Sequence, residues 1–315
     1  MEKRKIVIFG GSGSFGTAMT RKILENYDDD IIIFSRNEKM QFEHKEKFKS
    51  DRIRYVIGDI RDYKAVYDVL EGVDAVLLAS AMKHIDKCEE NPDECRKTNI
   101  DGCINVINAS IERNVNKLVF LSTDKATNPS TLYGCSKLFV EMYCKCVDNK
   151  NTKIIYTKYG NVLFSNGSVG HIFNKLAKEG KPLTVTTNEN GESHRRFFMT
   201  ITQAVDLVEY ALNRGNHGDL FVYNNKQCNI EKLARAFSDD IEYIKERCVE
   251  KTDEALLTIN ELNHSRLEEN KYYRVNDDIE NDCDYLTPFT SDTAEELSDK
   301  ELKEMIEESK KMGMI

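Results

Sequence analysis

The sequence predicts a doubly wound α/β fold with a parallel sheet and a smaller C-terminal lobe, and three observations carry that prediction. Short apolar, β-branched runs alternate with longer amphipathic segments through the first half, a glycine-rich turn joins the first run to the first amphipathic segment, and the rhythm breaks after Tyr159. Fully apolar strands separated by helices mark a parallel sheet covered on both faces. This is the Rossmann-type arrangement.

In chain order, strands are expected at Lys5 to Phe9, Ile31 to Phe34, Ile53 to Ile57, Ala75 to Ala79, Lys117 to Ser122 and Lys153 to Tyr159. Helices are expected from about Gly16, from about Tyr63, over Asp93 to Arg113 and over Leu132 to Val147. Beyond Tyr159 the chain passes through loops with Gly160, Gly167, Gly170, Gly180, Pro182 and Gly191; a helix over Thr200 to Asn213 and a strand at Asp219 to Tyr223 then return to the sheet. The dinucleotide-type domain is thus expected to span 1–165 plus about 200–223, and the second lobe about 166–199 and 224–315. The acidic stretch Asp277 to Glu307 reads as a solvated surface helix and loop.

The chain has 315 residues, enough for one large domain and a smaller lobe. Its 45 basic and 54 acidic side chains leave a net charge of −9 with no Lys/Arg block, which argues against nucleic acid as a partner. The longest apolar runs, such as Ile6 to Phe9, fall far short of the ~20 residues of a membrane span. Met1-Glu2-Lys3-Arg4-Lys5 runs straight into a strand without a signal-peptide pattern, so a cytoplasmic location is expected and no membrane partner. Nine scattered cysteines without a Cys-x-x-Cys pair suggest reduced thiols, neither a metal site nor a disulfide framework.

Gly10, Gly13 and Gly16 of Gly10-Gly11-Ser12-Gly13-Ser14-Phe15-Gly16 form a G-x-x-G-x-x-G turn between a strand and a helix. Without Cβ atoms the backbone turns tightly and approaches a pyrophosphate, which the helix N-terminus then holds through free N–H groups and its dipole. The second strand ends Phe34-Ser35-Arg36, where an NAD site usually carries an acid for the ribose 2′-hydroxyl. Arg36, with Ser35 and Lys39, suits a 2′-phosphate instead, favouring NADP over NAD; a surface charge is the plainer reading of Arg36. Asp59, in Gly58-Asp59-Ile60, stands where a carboxylate accepts from an adenine amine or merely caps a turn.

The apolar run Leu118 to Ser122 ends in Thr123-Asp124-Lys125, at the carboxyl edge where doubly wound sheets bind ligands. Tyr133 and Lys137 follow, and at i and i+4 of a helix they share a face. A phenol with pKa about 10 is a poor base near neutrality, and a nearby ammonium favours the phenolate. Tyr133 so activated takes a proton from a hydroxyl while hydride leaves to a nicotinamide. A surface pair is the alternative.

The glycine loop, Asn99 in Lys97-Thr98-Asn99-Ile100-Asp101-Gly102 and the Tyr/Lys pair resemble the extended short-chain dehydrogenase/reductases acting on nucleotide sugars. Ser122-Thr123-Asp124-Lys125-Ala126, Tyr133-Gly134, Tyr159-Gly160-Asn161-Val162, Gly167-Ser168-Val169 and Arg196-Phe197-Phe198-Met199-Thr200 resemble, more narrowly, the UDP-N-acetylglucosamine 4,6-dehydratases of the soluble, C5-inverting kind. The resemblance reaches about Leu257. It implies Lys125 as the base at C5, Asp124 as the acid for the departing C6 hydroxyl, Thr123 near the C4 oxygen, and Tyr133 with Lys137 for oxidation at C4. dTDP-glucose 4,6-dehydratases carry Asp-Glu where this chain has Asp124-Lys125, and 4-epimerases carry no such pair.

It also implies a cofactor site of Gly10, Ser12, Gly13, Ser14, Phe15, Gly16, Ser35, Arg36, Lys39, Asp59, Ile60, Ala79, Ser80, Ala81, Asn99, Tyr133, Lys137, Tyr159 and Asn161. The implied UDP-sugar site comprises Lys83, His84, Asn161, Ser168, Val169, Arg196, Arg247 and Glu254, with Arg247 on the diphosphate and Glu254 on the uridine ribose. Three positions depart from the family pattern: Lys158 and Asn166 replace arginines, and Val249 replaces the glycine of R-x-G-E-K-x-x-E. A homo-oligomer, dimer or hexamer, is expected. A UDP-sugar 4-epimerase or reductase, and an NADP-bound regulatory protein of the same fold, are the competing readings.

Overall fold

A computed structural model of the chain describes residues 3–246, 250–280 and 285–314. They divide into two compact units: Met1–Ser122 with Thr131–Lys158 and Val205–Phe221, and Thr123–Ser130 with Tyr159–Ala204 and Val222–Ile315.

In the first unit, β1 (Lys5–Phe9), β2 (Asp30–Ser35), β3 (Ile53–Ile57), β4 (Ala75–Leu78), β5 (Lys117–Leu121) and β6 (Lys153–Lys158) all run parallel. With the strand Leu220–Tyr223 beside β6, the order continues β6, β5, β4, β1, β2, β3. The direction of winding reverses between β1 and β4, and that switch point is where a crevice opens at the carboxyl ends of the strands. Ile6, Val7, Ile8 and Phe9 have no solvent exposure, as a strand covered on both faces requires.

The single helix expected over Asp93 to Arg113 is three pieces: Pro92–Cys95, a π-helical turn Arg96–Asp101 and Gly102–Glu112. Pro92 starts the first piece, where its missing N–H costs nothing. The wide turn inserts a residue into the helical ladder and contains Asn99. Helix Leu132–Cys146 is capped by Thr131, whose side chain accepts from the Gly134 N–H, and it buries Tyr133, Ser136, Lys137 and Glu141.

The second unit is built from small sheets. Arg195–Met199 lies between Asn161–Val162 and Gln227–Asn229, while Leu183–Thr187 pairs in parallel with Ile241–Lys245. Ser265–Glu268 and Tyr272–Val275 form a hairpin whose Glu269 and Asn270 both take positive φ, the geometry of a type I′ turn. Its core gathers Leu163, Phe164, Phe173, Leu183, Val185, Phe198 and Leu233.

One expectation needs correction. The acidic stretch is not merely solvated: helix Asp299–Lys311 turns Leu302, Met305 and Ile306 into the second unit's core and opens with a capping box between Ser298 and Glu301. Acidic composition hid a 3–4 apolar spacing. Thr123–Ser130 groups with the second unit although it directly continues β5. Its Thr127 hydroxyl donates to the Leu256 carbonyl (3.2 Å) and its Asp124 N–H to the Tyr159 carbonyl (3.0 Å), contacts distant in sequence.

Candidate active site

The glycine turn is built by close approach. Gly10 has φ +81°, and a Cβ there would lie 3.0 Å from the Ser80 nitrogen. At Gly16 a Cβ would come within 2.2 Å of the Gly11 carbonyl oxygen, so only glycine lets helix Ser14–Asn26 pack onto the turn. The cap residue Gly13 offers no side-chain bond, which leaves the first helical N–H groups to an anion. Ala79 and Ser80 form the wall against Gly10. Ser14, Phe15 and Ala81 are half-buried, and Ile60 is buried.

At the end of β2 the Ser12 and Ser35 hydroxyls are 2.9 Å apart. Gln41, which the sequence did not mark, is buried beneath them: its amide donates to the Ser35 hydroxyl (3.0 Å), the Ser35 carbonyl (3.0 Å) and the Val56 carbonyl (2.8 Å). Arg36 is exposed, with its guanidinium 3.7 Å from Asp59, and Lys39 is exposed beside Glu43. The Asp59 carboxylate accepts from the Arg61 guanidinium at 2.6 and 2.9 Å. Partial burial opposes ionisation there, but Arg61 and Arg36 outweigh it and hold the carboxyl below its usual range. The residues present fit a dinucleotide: backbone donors at the glycine turn, two hydroxyls at the end of β2, and an exposed guanidinium beside them.

Asn99 is spent on the protein. Its carbonyl oxygen accepts from the Met82 N–H (2.7 Å), and its amide donates to the Met82 carbonyl (2.9 Å) and the Ser136 hydroxyl (3.1 Å). It therefore clips the loop after β4 to helix Leu132–Cys146. Lys83 and His84 lie beyond the clip, exposed, with His84 preceding helix Ile85–Glu90.

On helix Leu132–Cys146 Tyr133 packs against Cys88 and Cys95. Lys137 is buried; its ammonium donates to the Leu121 carbonyl (2.5 Å) and sits 4.1 Å from the centre of the Phe120 ring. Burial pushes its pKa down, opposed by Cys103, Glu141 and Cys144. One turn on, Glu141 accepts from the Ser122 hydroxyl and lies 3.4 Å from the Lys158 ammonium. Lys158, where the family has arginine, is thus one half of a buried ion pair and is directed at Glu141 within the first unit. Removing one member leaves the other charge buried, so Lys158→Met is expected to lower the unfolding free energy by about 3–5 kcal/mol in urea titration. Glu141→Leu with Lys158→Met should recover most of that loss.

Thr123 opens the 3-10 turn Asp124–Ala126; its hydroxyl donates to Asp124 (2.8 Å). Asp124 is wholly buried, and the Lys125 ammonium donates to its two oxygens at 3.1 and 3.4 Å. Lys125 also lies 3.9 Å from Glu254, which lies 3.5 Å from Lys251. The four side chains form a row of alternating charge.

Elsewhere in the second unit, Tyr159 and Asn161 are half-buried. Ser168 precedes helix Val169–Lys178 without capping it, and its hydroxyl oxygen is buried with no hydrogen-bond partner. Arg196 directs its guanidinium at the carbonyls of Arg195 (2.7 Å), Lys251 (2.7 Å) and Thr252 (2.8 Å), and at His194. Arg247 and Val249 lie outside the described residues. Among the described residues no His/Cys/Asp/Glu group could hold a metal, all seven cysteines are free, and no helix is long and apolar enough to cross a membrane.

A parallel, doubly wound sheet with a glycine turn after β1 and a Tyr/Lys pair on the helix after β5 defines a Rossmann-fold protein of the short-chain dehydrogenase/reductase type. Residues 6–277 match the family described as polysaccharide biosynthesis protein, and the chain belongs to that family. It is 39% identical over 285 residues to the UDP-N-acetylglucosamine 4,6-dehydratase (inverting) of Campylobacter jejuni, covering 88% of this chain and 84% of that one. It is 34% identical over 330 aligned positions to a UDP-glucose 4-epimerase of Rickettsia rickettsii, covering 96% and 95%. Among solved structures, Pen from Bacillus thuringiensis superposes with a TM-score of 0.89 at 32% identity, over 98% of this chain and 99% of that one.

Proposed function

We propose that the chain is a nucleotide-sugar 4,6-dehydratase that converts UDP-N-acetylglucosamine to a UDP-4-keto-6-deoxy sugar with inversion at C5, using NADP. The observation that carries this reading is the buried Asp124 holding Lys125 immediately after β5. Sequence identity to the Campylobacter dehydratase supports it.

The cofactor, when bound, accepts hydride from C4 and returns it to C6. Tyr133 removes the C4 hydroxyl proton, with the Lys137 cation favouring its phenolate. Oxidation makes the C5 proton acidic; with the proton of the Lys125–Asp124 pair resting on the carboxyl, Lys125 as the neutral amine takes the C5 proton and becomes ammonium, while Asp124 gives its proton to the departing C6 hydroxyl, so that one water leaves. Thr123 steadies the Asp124 carboxyl. Inversion follows when the proton returned to C5 arrives on the opposite face.

The glycine turn, the Ser12–Ser35 hydroxyls and Arg36 hold the cofactor, and the uncapped helix start at Ser168 and Val169 suits the diphosphate. Arg196 holds the main chain of Lys251 and Thr252 in place for the nucleotide end. Arg36→Ala is expected to cut the preference for NADP over NAD by about 10- to 100-fold, read as the ratio of dissociation constants, since a guanidinium–phosphate contact is worth a charge-assisted bond or two.

The epimerase relatives favour a second reading, UDP-sugar 4-epimerisation, for which Asp124 and Lys125 have no task. Mass spectrometry of the product separates them: a dehydratase yields a sugar nucleotide lighter by one water, an epimerase an isomer of unchanged mass.

A further inference from the structure

We propose that Gln41 is a positioning residue for the ribose end of the cofactor: its side-chain amide holds the Ser35 hydroxyl with the proton turned outward, as a donor, at the end of β2. The buried residues of helix Glu38–Phe48 are Gln41 and His44. A helix lying on a sheet ordinarily buries apolar side chains there. His44 anchors the helix to β3, with its Nδ1 2.8 Å from the Tyr55 hydroxyl and its ring packed against Phe48 and Tyr55. Gln41 reaches the end of β2 instead.

The Gln41 amide nitrogen lies 2.8 Å from the Val56 carbonyl, 3.0 Å from the Ser35 carbonyl and 3.0 Å from Ser35 Oγ. Carbonyls accept and never donate, so the end of the amide that faces them is the nitrogen. An amide nitrogen takes no proton, and the Ser35 hydroxyl therefore cannot turn its own proton towards Gln41. The Ser35 carbonyl is closed to it as well, because it accepts from Gln41 and from the Gly58 N–H (3.1 Å).

The Ser12 and Ser35 hydroxyls, 2.9 Å apart, carry two protons and use one between them. Ser12 is buried in the glycine turn, whereas Ser35 is half-buried and ends β2, so the proton that leaves the pair is the one on Ser35. Its two lone pairs are then filled by Gln41 and Ser12. The end of β2 is where doubly wound sheets meet the adenosine ribose, and an outward hydroxyl proton there suits an oxygen on the 2′ carbon, above all an anionic one. Without the amide, the Val56 and Ser35 carbonyls each lose a donor, and the Ser35 hydroxyl becomes the nearest replacement.

The direction of these bonds stands on geometry; their bearing on a 2′-phosphate rests on the NADP reading above. Binding of 2′,5′-ADP and of 5′-AMP to the full chain, measured by calorimetry, tests both. Gln41→Met is expected to weaken 2′,5′-ADP about tenfold and 5′-AMP less than about twofold, since a hydrogen bond to an ionised oxygen is worth about a factor of ten. Ser35→Ala should do the same. Because Gln41 acts through Ser35, Gln41→Met added to Ser35→Ala should cost less than about a further twofold. Gln41→Asn, which keeps the amide one bond shorter, takes its place in the same comparison should the methionine variant melt below the assay temperature.

Equal losses for the two nucleotides, or the same loss with and without the Ser35 hydroxyl, would make Gln41 a mere tie between helix and sheet and overturn the proposal. An unmoved preference in Ser35→Ala would overturn it too. A parent protein that binds 2′,5′-ADP no more tightly than 5′-AMP would overturn the NADP reading alone. The role of Gln41 is then decided by the same pair of variants from the preference for 5′-AMP over 2′-deoxy-5′-AMP, which both substitutions should lower without adding.

Discussion

Lys125→Ala is expected to abolish deuterium exchange at C5 and to lower dehydration by about 10²–10⁴-fold, while oxidation at C4 persists as a transient rise in reduced cofactor absorbance. The size follows from what the side chain does. Lys125 is the cation paired with Asp124 in the turn Asp124–Ala126, so the substitution removes the amine that this acid holds. The affinity for UDP should hold, because the substitution removes a small part of the substrate contacts. Exchange at C5 measured in heavy water by proton NMR checks the result. Parent-level exchange in Lys125→Ala would show that another group is the base.

On the proposed mechanism Tyr133→Phe removes the base for the C4 hydroxyl, and it is expected to suppress the first step by about 10³-fold, within the range for a lost general base. Here the reduced-cofactor transient disappears as well, which separates this variant from Lys125→Ala. The fold should be undisturbed, since the ring keeps its packing against Cys88 and Cys95. Thermal unfolding at the parent temperature together with absent cofactor reduction is the expected pair of results. A persisting transient would move the role of base away from Tyr133.

Most of the first unit was legible because its strands are continuous β-branched runs and its turn glycines stand at fixed offsets, signals that depend on local sequence alone. The boundaries of β1, β3 and the helix Leu132–Cys146 follow them to within a residue. The π-helical turn at Arg96–Asp101 was not legible, because a 3.6-residue apolar period is only slightly disturbed by one inserted residue. The helix Asp299–Lys311 was misread because charge dominates its composition while three apolar residues carry its packing.

The same division holds at the site. Asp124, Lys125, Tyr133 and Lys137 announce themselves by motif, whereas Gln41, Glu141 and Lys158 act through partners distant in sequence. Glu141 left one trace, a second step of four after Tyr133 and Lys137 on the same helix face. At Arg196 the motif suggested a ligand contact, and the three-dimensional structure adds hydrogen bonds from its guanidinium to the main chain at Lys251 and Thr252. An arginine has five donors, and sequence does not say which acceptors meet them.

The most direct measurement is proton NMR of the purified protein incubated with UDP-N-acetylglucosamine in heavy water. A 4-keto product with a C6 methyl group, deuterium at C5 and the inverted C5 configuration is the expected result. A sugar that keeps its C6 hydroxyl, whether unchanged or epimerised at C4, would contradict dehydration by Asp124 and Lys125.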